Sequence, residues 1–217
     1  MSRPVLYVLA GVNGAGKSSL GGHLLERAGL SWFNPDAFAR ELAAELDCSQ
    51  QEANARAWQE GVRRLEAALR AGRHHAFETT LGGRSMPAFI RAAAASHDVL
   101  IWFCGLATPE QHIARVQSRV ARGGHDIPPE LIHRRFQLAR ENLIALMPHL
   151  AHLQIHDNSR DAEDGQPIPD PLLLAQMEAG RLVWPTRPEQ LSQTPDWAKP
   201  LLEAALVLGE EPSGSVQ

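Results

Sequence analysis

The chain has few cysteines, no excess of positive charge and no long apolar segment, and each of these absences argues against a class of protein. Two cysteines among 217 residues, Cys48 and Cys104, make no disulfide framework, so a reducing cytoplasm is expected. The net charge of -4 and the pI near 6.2 argue against a general polynucleotide binder, which usually has a basic excess. No stretch is long and apolar enough to span a bilayer, and the apolar run at 4–10 is too short for a signal peptide.

The remaining composition, 44% hydrophobic and 21% charged, is that of an ordinary globular domain. Apolar runs alternate with amphipathic segments, which predicts an α/β fold in which helices flank a parallel sheet of about five strands. Beyond residue 159 the alternation weakens, and we expect only a short hairpin over 171–185 and a last helix over 195–206. The strands of the sheet are expected at residues 4–10, 30–33, 74–80, 98–107 and 152–159.

Two helical segments lead to specific expectations about side chains. Residues 50–71 predict a long amphipathic helix whose apolar stripe includes Trp58 and Leu65, and the five tryptophans are expected in the core or against the C-terminal segment. Thr108 is expected to cap a later helix, with Gln111 completing a reciprocal capping box.

A glycine-rich loop follows the first predicted strand and leads into a helix. Its residues Gly11, Gly16, Lys17 and Ser18 fit G-x-x-x-x-G-K-[ST], and this context supports a phosphate-binding loop. Glycines let the backbone surround a phosphate without side-chain clashes, and the amides at a helix start favour an anion. Lys17 is expected to reach the terminal phosphates of ATP, and the Ser18 hydroxyl is expected to ligate Mg²⁺. The residues expected to bind the nucleotide are Gly11, Asn13, Gly14, Ala15, Gly16, Lys17, Ser18 and Ser19.

No second nucleotide motif, an apolar strand that ends in aspartate, follows this loop. The clearest later strand, VLIWFCGLA, ends in Gly-Leu-Ala. Motor-type and switch-type ATPases normally need that aspartate for Mg²⁺, so these classes are disfavoured. Phosphoryl transfer requires a metal, a held acceptor hydroxyl, a group that orients the hydroxyl, and cations near the migrating charge.

Asp36 is the candidate for the group that acts on an acceptor hydroxyl. It follows the second predicted strand in FNPDAFAR, so it should stand at the carboxyl edge of the sheet, where ligands of open α/β sheets bind. A carboxylate at this position can accept the proton of the hydroxyl. The sequence equally allows a helix cap or an i,i+4 ion pair with Arg40.

Further candidates lie at and after the end of the third predicted strand. Glu78 and Thr80 in FETT would lie at the same edge and could hold sugar hydroxyls or bind a metal through water. The alternative is that Glu78 caps the next turn and the threonines are ordinary strand residues. Arg84 follows the glycines of LGGRS and is either a phosphate contact or a solvated charge.

Arginines surround the glycine pair in RVQSRVARGGHDIPPELIHRRF. Arg115, Arg119 and Arg122 share one helical face before the pair, and Arg134 and Arg135 follow it. A hinged flap that carries arginines can close over a triphosphate and exclude water, and an arginine finger adds about 10³–10⁵ in rate. The alternative is a surface helix hairpin with solvated charges, and spacing does not decide which arginines reach the phosphate.

Five segments in this order resemble the zeta toxin family of P-loop kinases in its compact chromosomal form. They are AGVNGAGKSS, NPDAFAR, AFETTLGG, RVARGGHDIPPELIHRRF and HDNS, and together they run from about residue 5 to residue 159. With this resemblance we expect a P-loop kinase core over 1–160, with a lid over about 119–135. A C-terminal extension over 161–208 is expected to pack on the core and to precede a flexible tail over 209–217.

The resemblance also implies an activity and roles for residues. The best-studied members of the family use ATP and Mg²⁺ to phosphorylate a sugar hydroxyl of UDP-N-acetylglucosamine, and an antitoxin protein is an implied partner. The GGHDIPP lid differs from that of the plasmid-borne members, and Arg84 is not at the spacing of the family's substrate arginine. The implied roles are catalytic base for Asp36, acceptor contacts for Glu78 and Thr80, and lid arginine for Arg119 together with Arg134 or Arg122.

The sequence therefore predicts a cytoplasmic kinase that uses ATP and Mg²⁺ to phosphorylate a small-molecule hydroxyl, with UDP-N-acetylglucosamine as the first choice of acceptor. No polynucleotide or membrane partner is expected. One alternative is a kinase of another acceptor, such as a nucleoside, a nucleotide or an antibiotic, and the lining from Asp36 to Arg84 would discriminate it. The other alternative is a nucleotide-gated binding module, which would hydrolyse ATP slowly with every acceptor.

Overall fold

A six-stranded, mostly parallel sheet flanked by helices forms the centre of the protein, which confirms the predicted α/β class. The structure is a computed structural model and describes residues 2–18, 32–160 and 169–210, together with Gly21 and Leu25. The strands are β1 (Val5–Ala10), β2 (His75–Thr79), β3 (Asp98–Gly105), β4 (His152–Asp157), β5 (Leu172–Glu178) and β6 (Arg181–Trp184).

The strand order places β1, and the phosphate-binding loop at its carboxyl end, between β2 and β3. The order is β2-β1-β3-β4-β5-β6, with parallel pairing from β2 to β4 and antiparallel pairing of β4 with β5 and of β5 with β6. The strand expected at 30–33 appears in the described residues as one parallel bridge between Phe33 and Phe77. The predicted hairpin is confirmed, and it joins the sheet, so the sheet has six strands where about five were expected.

Local sequence signals explain where most of the helices begin. Prolines occupy the first turn of α1, α4 and α5, where the missing N–H has no helical partner to lose. Among the helices of the described residues, none is long and apolar enough to cross a membrane. The helices are α1 (Pro35–Leu46), α2 (Gln50–Arg70), α3 (Ser85–Ala93), α4 (Pro109–Val120), α5 (Pro129–Leu146), α6 (Pro188–Leu191) and α7 (Lys199–Glu210), with a 3-10 turn at Met147–His149.

The cap of α4 is partly as predicted. The Thr108 hydroxyl oxygen accepts a hydrogen bond of 3.2 Å from the backbone N–H of Gln111, so the N-cap is confirmed. The Gln111 side chain, however, accepts from the N–H of Ala107 at 3.2 Å. The expected reciprocal capping box is therefore wrong, because the Gln111 side chain reaches one residue further back along the entering chain.

The expectation that all five tryptophans are core residues or contacts of the C-terminal segment is wrong for Trp58, which is 48% exposed. Helix α2 packs on α1 through small residues, and this packing turns Trp58 away from the core. Trp184 is also exposed, whereas Trp197 is buried. The residues that α2 buries are Ala53, Ala57, Leu65 and Ala68.

The C-terminal segment contributes to the main hydrophobic core. The Trp197 ring covers Gly105 at the end of β3, and its centroid lies 6.4 Å from that of Phe103. Leu201 of α7 is fully buried in the same cluster as the sheet residues. The boundaries expected between a core, an extension and a tail remain predictions, and residues 161–168 and 211–217 lie outside the described part of the chain.

Candidate functional site

The phosphate-binding loop between β1 and the next helix has three glycines at positive φ, with values of +140° for Gly11, +82° for Gly14 and +89° for Gly16. A Cβ atom on Gly14 would lie 2.8 Å from the carbonyl oxygen of His112. A Cβ on Gly11 would collide with the carbonyl oxygen of Cys104. The loop therefore approaches β3 and α4 so closely that only glycine fits at these positions.

Side chains from three other elements hold this loop in place. The Asn158 amide donates to the carbonyl oxygen of Ala15 at 2.9 Å, and the Cys104 thiol donates to the same oxygen at 3.0 Å. Burial raises the pKa of the Cys104 thiol to about 12, so the thiol stays protonated. His112 bonds through Nδ1 to the carbonyl oxygen of Asn13 at 2.8 Å, and burial lowers the pKa of His112 to about 4. The imidazole is therefore neutral at pH 7 and donates through Nδ1–H to the loop.

The Glu78 carboxylate, near the end of β2, contacts several polar groups beneath the loop. The buried Lys17 ammonium lies 3.4 Å from one carboxylate oxygen of Glu78 and 3.3 Å from the carbonyl oxygen of Val12. The other carboxylate oxygen accepts from the Ser18 hydroxyl and from the Asn34 amide, each at 3.0 Å. A buried carboxylate needs such compensation, since its desolvation is costly without an opposite charge and hydrogen bonds.

These residues fit Mg²⁺, the metal expected at a phosphate-binding loop. The Ser18 hydroxyl and the Glu78 carboxylate are hard oxygen ligands, which Mg²⁺ prefers, and Mg²⁺ usually adds waters and phosphate oxygens. Within the described residues no group of three or more His, Cys, Asp or Glu side chains could hold a metal alone. The carboxylate beside Ser18 comes from β2, the neighbour of β1 on the side opposite β3.

Asp36 takes neither of the two ordinary structural roles that its position allows. The Asn34 side chain accepts the capping hydrogen bond from Ala37 N–H at 3.0 Å, so Asn34 is the N-cap of α1. No ion pair joins Asp36 to Arg40 within residues 32–160. Asp36 is exposed and lines two cavities at the carboxyl edge of the sheet.

Two cavities of about 440 Å³ each share part of their walls at this edge. The loop cavity is lined by Gly14, Gly16 and Ser18 of the phosphate-binding loop. The side cavity is lined by the residues that end β2, by the start of α1 and by α2. The residues common to both cavities are Asn13, Lys17, Asn34, Asp36, Asn54, Glu78 and His125.

The arginines around the glycine pair divide between the two cavities. The guanidinium of Arg119 donates to the carbonyl oxygen of His125 at 2.9 Å, across the turn that contains Gly123 and Gly124. Helix α4 ends at Val120, so Arg122 lies in the turn beyond it. Arg115, Arg119 and Arg122 line the loop cavity, whereas Arg134 and Arg135 line the side cavity.

Arg135 is the arginine that sequence reasoning did not select, and it contacts the phosphate-binding loop directly. Its guanidinium donates to the side-chain oxygen of Asn13 at 2.6 Å. Burial lowers the pKa of Arg135, and the negative charge of Asp36 opposes this shift. Arg134, which was selected, is exposed on the side cavity. In the sequence, residue 135 shares the helical period of residues 132, 139 and 143, which lie on the buried face of α5.

The other predicted acceptor contacts lie together on the side cavity. The Thr80 hydroxyl oxygen accepts from the N–H of Gly82 at 3.3 Å, and its own proton remains able to donate. Asn142 of α5 anchors this segment through the carbonyl oxygen of Gly83 at 2.9 Å. Arg84 is exposed and also lines the side cavity. Of the predicted nucleotide contacts, Ser19 lies outside the described residues.

The central phosphate-binding loop and the mostly parallel sheet define a nucleotide-binding P-loop fold of the kinase-like type. The AAA_33 family model, described as an AAA domain, matches residues 6–143. Because this match covers more than half of the chain, the chain belongs to that family. No curated protein sequence matches the chain significantly.

Solved structures share this fold at low sequence identity. A chain of the AvrRxo1-ORF1:-ORF2 complex with ATP aligns with a TM-score of 0.62 and 18% identity over 99% of this chain and 66% of that chain. A chain of the PezAT chromosomal toxin-antitoxin system of Streptococcus pneumoniae aligns with a TM-score of 0.55 and 15% identity over 72% of this chain and 68% of that chain. A candidate kinase from Chloroflexus aurantiacus aligns with a TM-score of 0.52 and 20% identity over 62% of this chain and 78% of that chain. The chain thus spans just under two thirds of the AvrRxo1 chain, and these likenesses concern the fold.

Proposed function

We propose that the protein is a kinase that transfers the γ-phosphate of ATP to a hydroxyl group of a small molecule. The observation that carries this proposal is the shared wall of the two cavities, where Lys17, Asp36 and Glu78 face both sides. A nucleotide on the loop would direct its terminal phosphate towards this wall, and an acceptor in the side cavity would approach from the opposite side. A simple hydrolase needs only water there, whereas a second cavity of about 440 Å³ suits a substrate.

Each residue at the shared wall has a role in this reaction. The acceptor oxygen forms a bond to the γ-phosphorus, the bond to the β,γ-bridging oxygen breaks, and ADP leaves with that oxygen. Asp36 orients the acceptor hydroxyl and takes its proton, while Lys17 stabilises the charge on the migrating phosphoryl group. Ser18 and Glu78 would hold Mg²⁺, which neutralises phosphate charge when bound. Arg115, Arg119 and Arg122 line the loop cavity, and Arg135 contacts Asn13 of the phosphate-binding loop.

UDP-N-acetylglucosamine is the acceptor we propose, with Glu78 and Thr80 holding its sugar hydroxyls. The support is the resemblance of five sequence segments to the zeta toxin family, together with the position of both residues on the side cavity. An antitoxin protein is proposed as a partner on the same resemblance, and PezAT, which shares the fold, is a toxin-antitoxin system. The site of action we propose is the cytoplasm, where both free cysteines would stay reduced.

Mass spectrometry of the purified protein with ATP, Mg²⁺ and a small-metabolite extract tests this function. Wild-type protein should yield a new species heavier by one phosphate group, and Asp36→Asn should abolish it. Glu41→Gln, on the same helix but outside both cavities, is the matched control and should leave the yield unchanged. Equal ADP release by wild type and Asp36→Asn, with no phosphorylated product, would contradict the proposal and favour a nucleotide-gated binding module.

A further inference from the structure

Trp58 is a large aromatic side chain that faces the side cavity. It is 48% exposed, although tryptophan is normally well buried, and no ring contact to another aromatic side chain is present in the described residues. Asn54 lies one helical turn earlier on α2 and lines the same cavity. Its side-chain oxygen accepts from Gln50 at 2.9 Å, so its amide protons remain able to donate into the cavity. The wall formed by α2 therefore offers an aromatic face beside a polar amide.

Positive charge is in excess on the rest of this cavity. Lys17 is paired with Glu78, and Arg135 lies near the charge of Asp36. The remaining two cations of the lining, Arg84 and Arg134, have no carboxylate partner within residues 32–160. A site with unpaired guanidinium groups suits an acceptor that carries phosphate, because arginine binds phosphate oxygens through several N–H groups.

We propose that Trp58 is the stacking platform for the base of a nucleotide-linked acceptor, and that Arg84 and Arg134 hold the phosphates of that acceptor. Asn54 is placed to bond the polar edge of the stacked ring. A neutral free sugar would also lie against an aromatic face, but it would leave both guanidinium groups without an anion. Arg84 and Arg134, together with Trp58, thus select a nucleotide-linked hydroxyl compound over a free sugar. This inference rests on the proposed function for its role in catalysis.

Calorimetry tests the stacking without requiring turnover. The loop site is first filled with Mg²⁺ and a non-hydrolysable ATP analogue, and UMP, AMP, uridine and N-acetylglucosamine are then titrated separately. At least one of the two nucleoside monophosphates should bind wild type, and Trp58→Ala should weaken this binding about ten- to hundredfold, as expected for loss of base stacking. Trp58→Phe should restore most of the affinity. Arg84→Ala and Arg134→Ala should weaken binding of the monophosphate and leave uridine binding unchanged.

Two controls separate a local effect from a structural one. The affinity for the ATP analogue should be equal in wild type and Trp58→Ala, because Trp58 lines only the side cavity. Trp184→Ala removes an exposed tryptophan on β6, away from both cavities, and should leave monophosphate affinity unchanged.

Different results would overturn the role of Trp58 and the kinase activity. Unchanged monophosphate affinity in Trp58→Ala, or binding of N-acetylglucosamine alone, would overturn the role of Trp58 while leaving kinase activity that depends on Asp36 intact. Failure of both UMP and AMP to bind wild type would overturn it as well. Trp58-dependent binding of a monophosphate, with no phosphoryl transfer to any acceptor, would support the nucleotide site and refute the kinase.

Discussion

The Arg135 guanidinium donates a hydrogen bond of 2.6 Å to the side chain of Asn13, which joins helix α5 to the phosphate-binding loop. The carbonyl oxygen of the same loop residue accepts a hydrogen bond of 2.8 Å from His112 on helix α4. Helices α4 and α5 therefore hold one buried residue of the loop from two sides. A displacement of either helix would therefore disturb the position of Asn13 in the loop.

Replacing the two neighbouring arginines of α5 should have unequal effects. Arg135→Ala should lower kcat by about 10²–10³, because a preorganised donor beside the migrating charge is lost. Arg134→Ala should change kcat much less and act mainly on the KM for the acceptor. Steady-state ADP release with saturating acceptor measures both, and Arg91→Ala, an exposed arginine outside both cavities, is the control. A larger loss of kcat in Arg134→Ala would show that the assignment is reversed.

A methyl group on Gly16 should abolish tight nucleotide binding. The residue has a φ of +89°, and a Cβ there would collide with the amide of Asn158. We expect Gly16→Ala to weaken ATP at least about a hundredfold, since loop amides can no longer surround the phosphates. Gly209→Ala is the control, because nothing lies within 4 Å of its Cβ position. Titration with a fluorescent ATP analogue gives both affinities, and equal affinity in the two variants would contradict a phosphate-binding role for the loop.

Loss of the carboxylate at Glu78 should appear first in the dependence on metal. Glu78→Gln keeps an oxygen near Ser18 but removes the charge, so the Mg²⁺ concentration for half-maximal rate should rise about 10- to 100-fold. The variant should also be less stable by about 3 kcal/mol or more, because the buried Lys17 loses its ion pair. Glu66→Gln removes an exposed partner of Arg70 and should change neither quantity by much. An unchanged Mg²⁺ titration would exclude Glu78 from the metal site.

Acid should destabilise the protein through His112. Burial lowers its pKa in the folded state to about 4, while an unfolded histidine titrates near 6.5. Between pH 6.5 and about pH 4 the His112 imidazole is therefore protonated in the unfolded state and neutral in the folded state. Its contribution to the free energy of unfolding is fully present above pH 6.5 and is lost as the pH falls to about 4. The loss of unfolding free energy that is due to His112 between pH 7 and pH 5 is about 2 kcal/mol.

Urea unfolding at pH 7 and pH 5 measures this contribution. His112→Gln should reduce the loss of stability between the two pH values by that amount. His149→Gln is the control on an exposed histidine and should show the same loss as wild type. Some loss should persist in His112→Gln, because burial lowers the pKa of His156 to about 4 as well. Identical losses in wild type and His112→Gln would show that folding does not lower the pKa of His112.

Prediction from sequence succeeded for two features that neighbouring residues determine, although the Gln111 half of the predicted capping box is wrong. The cap at Thr108 and the hairpin around Gly180 depend on residues a few positions apart, and both are present. Prediction failed for Trp58, because periodicity alone cannot show that alanines would centre the contact of α2 with α1. Spacing in the sequence likewise did not single out Arg135 as the arginine that contacts Asn13, because that contact depends on the rotation of α5.

The sequence by itself determined the α/β class, the glycine loop and the types of residue that meet at one edge of the sheet. These features follow from hydrophobic period, from glycine conformations and from the common carboxyl edge of parallel strands. Only the tertiary structure decided which side chains meet, such as Ser18 with Glu78 across 60 positions and Asn13 with Arg135 across 122. Such contacts depend on strand order and on the rotation of each helix, both of which are determined by packing between elements that are distant in the chain.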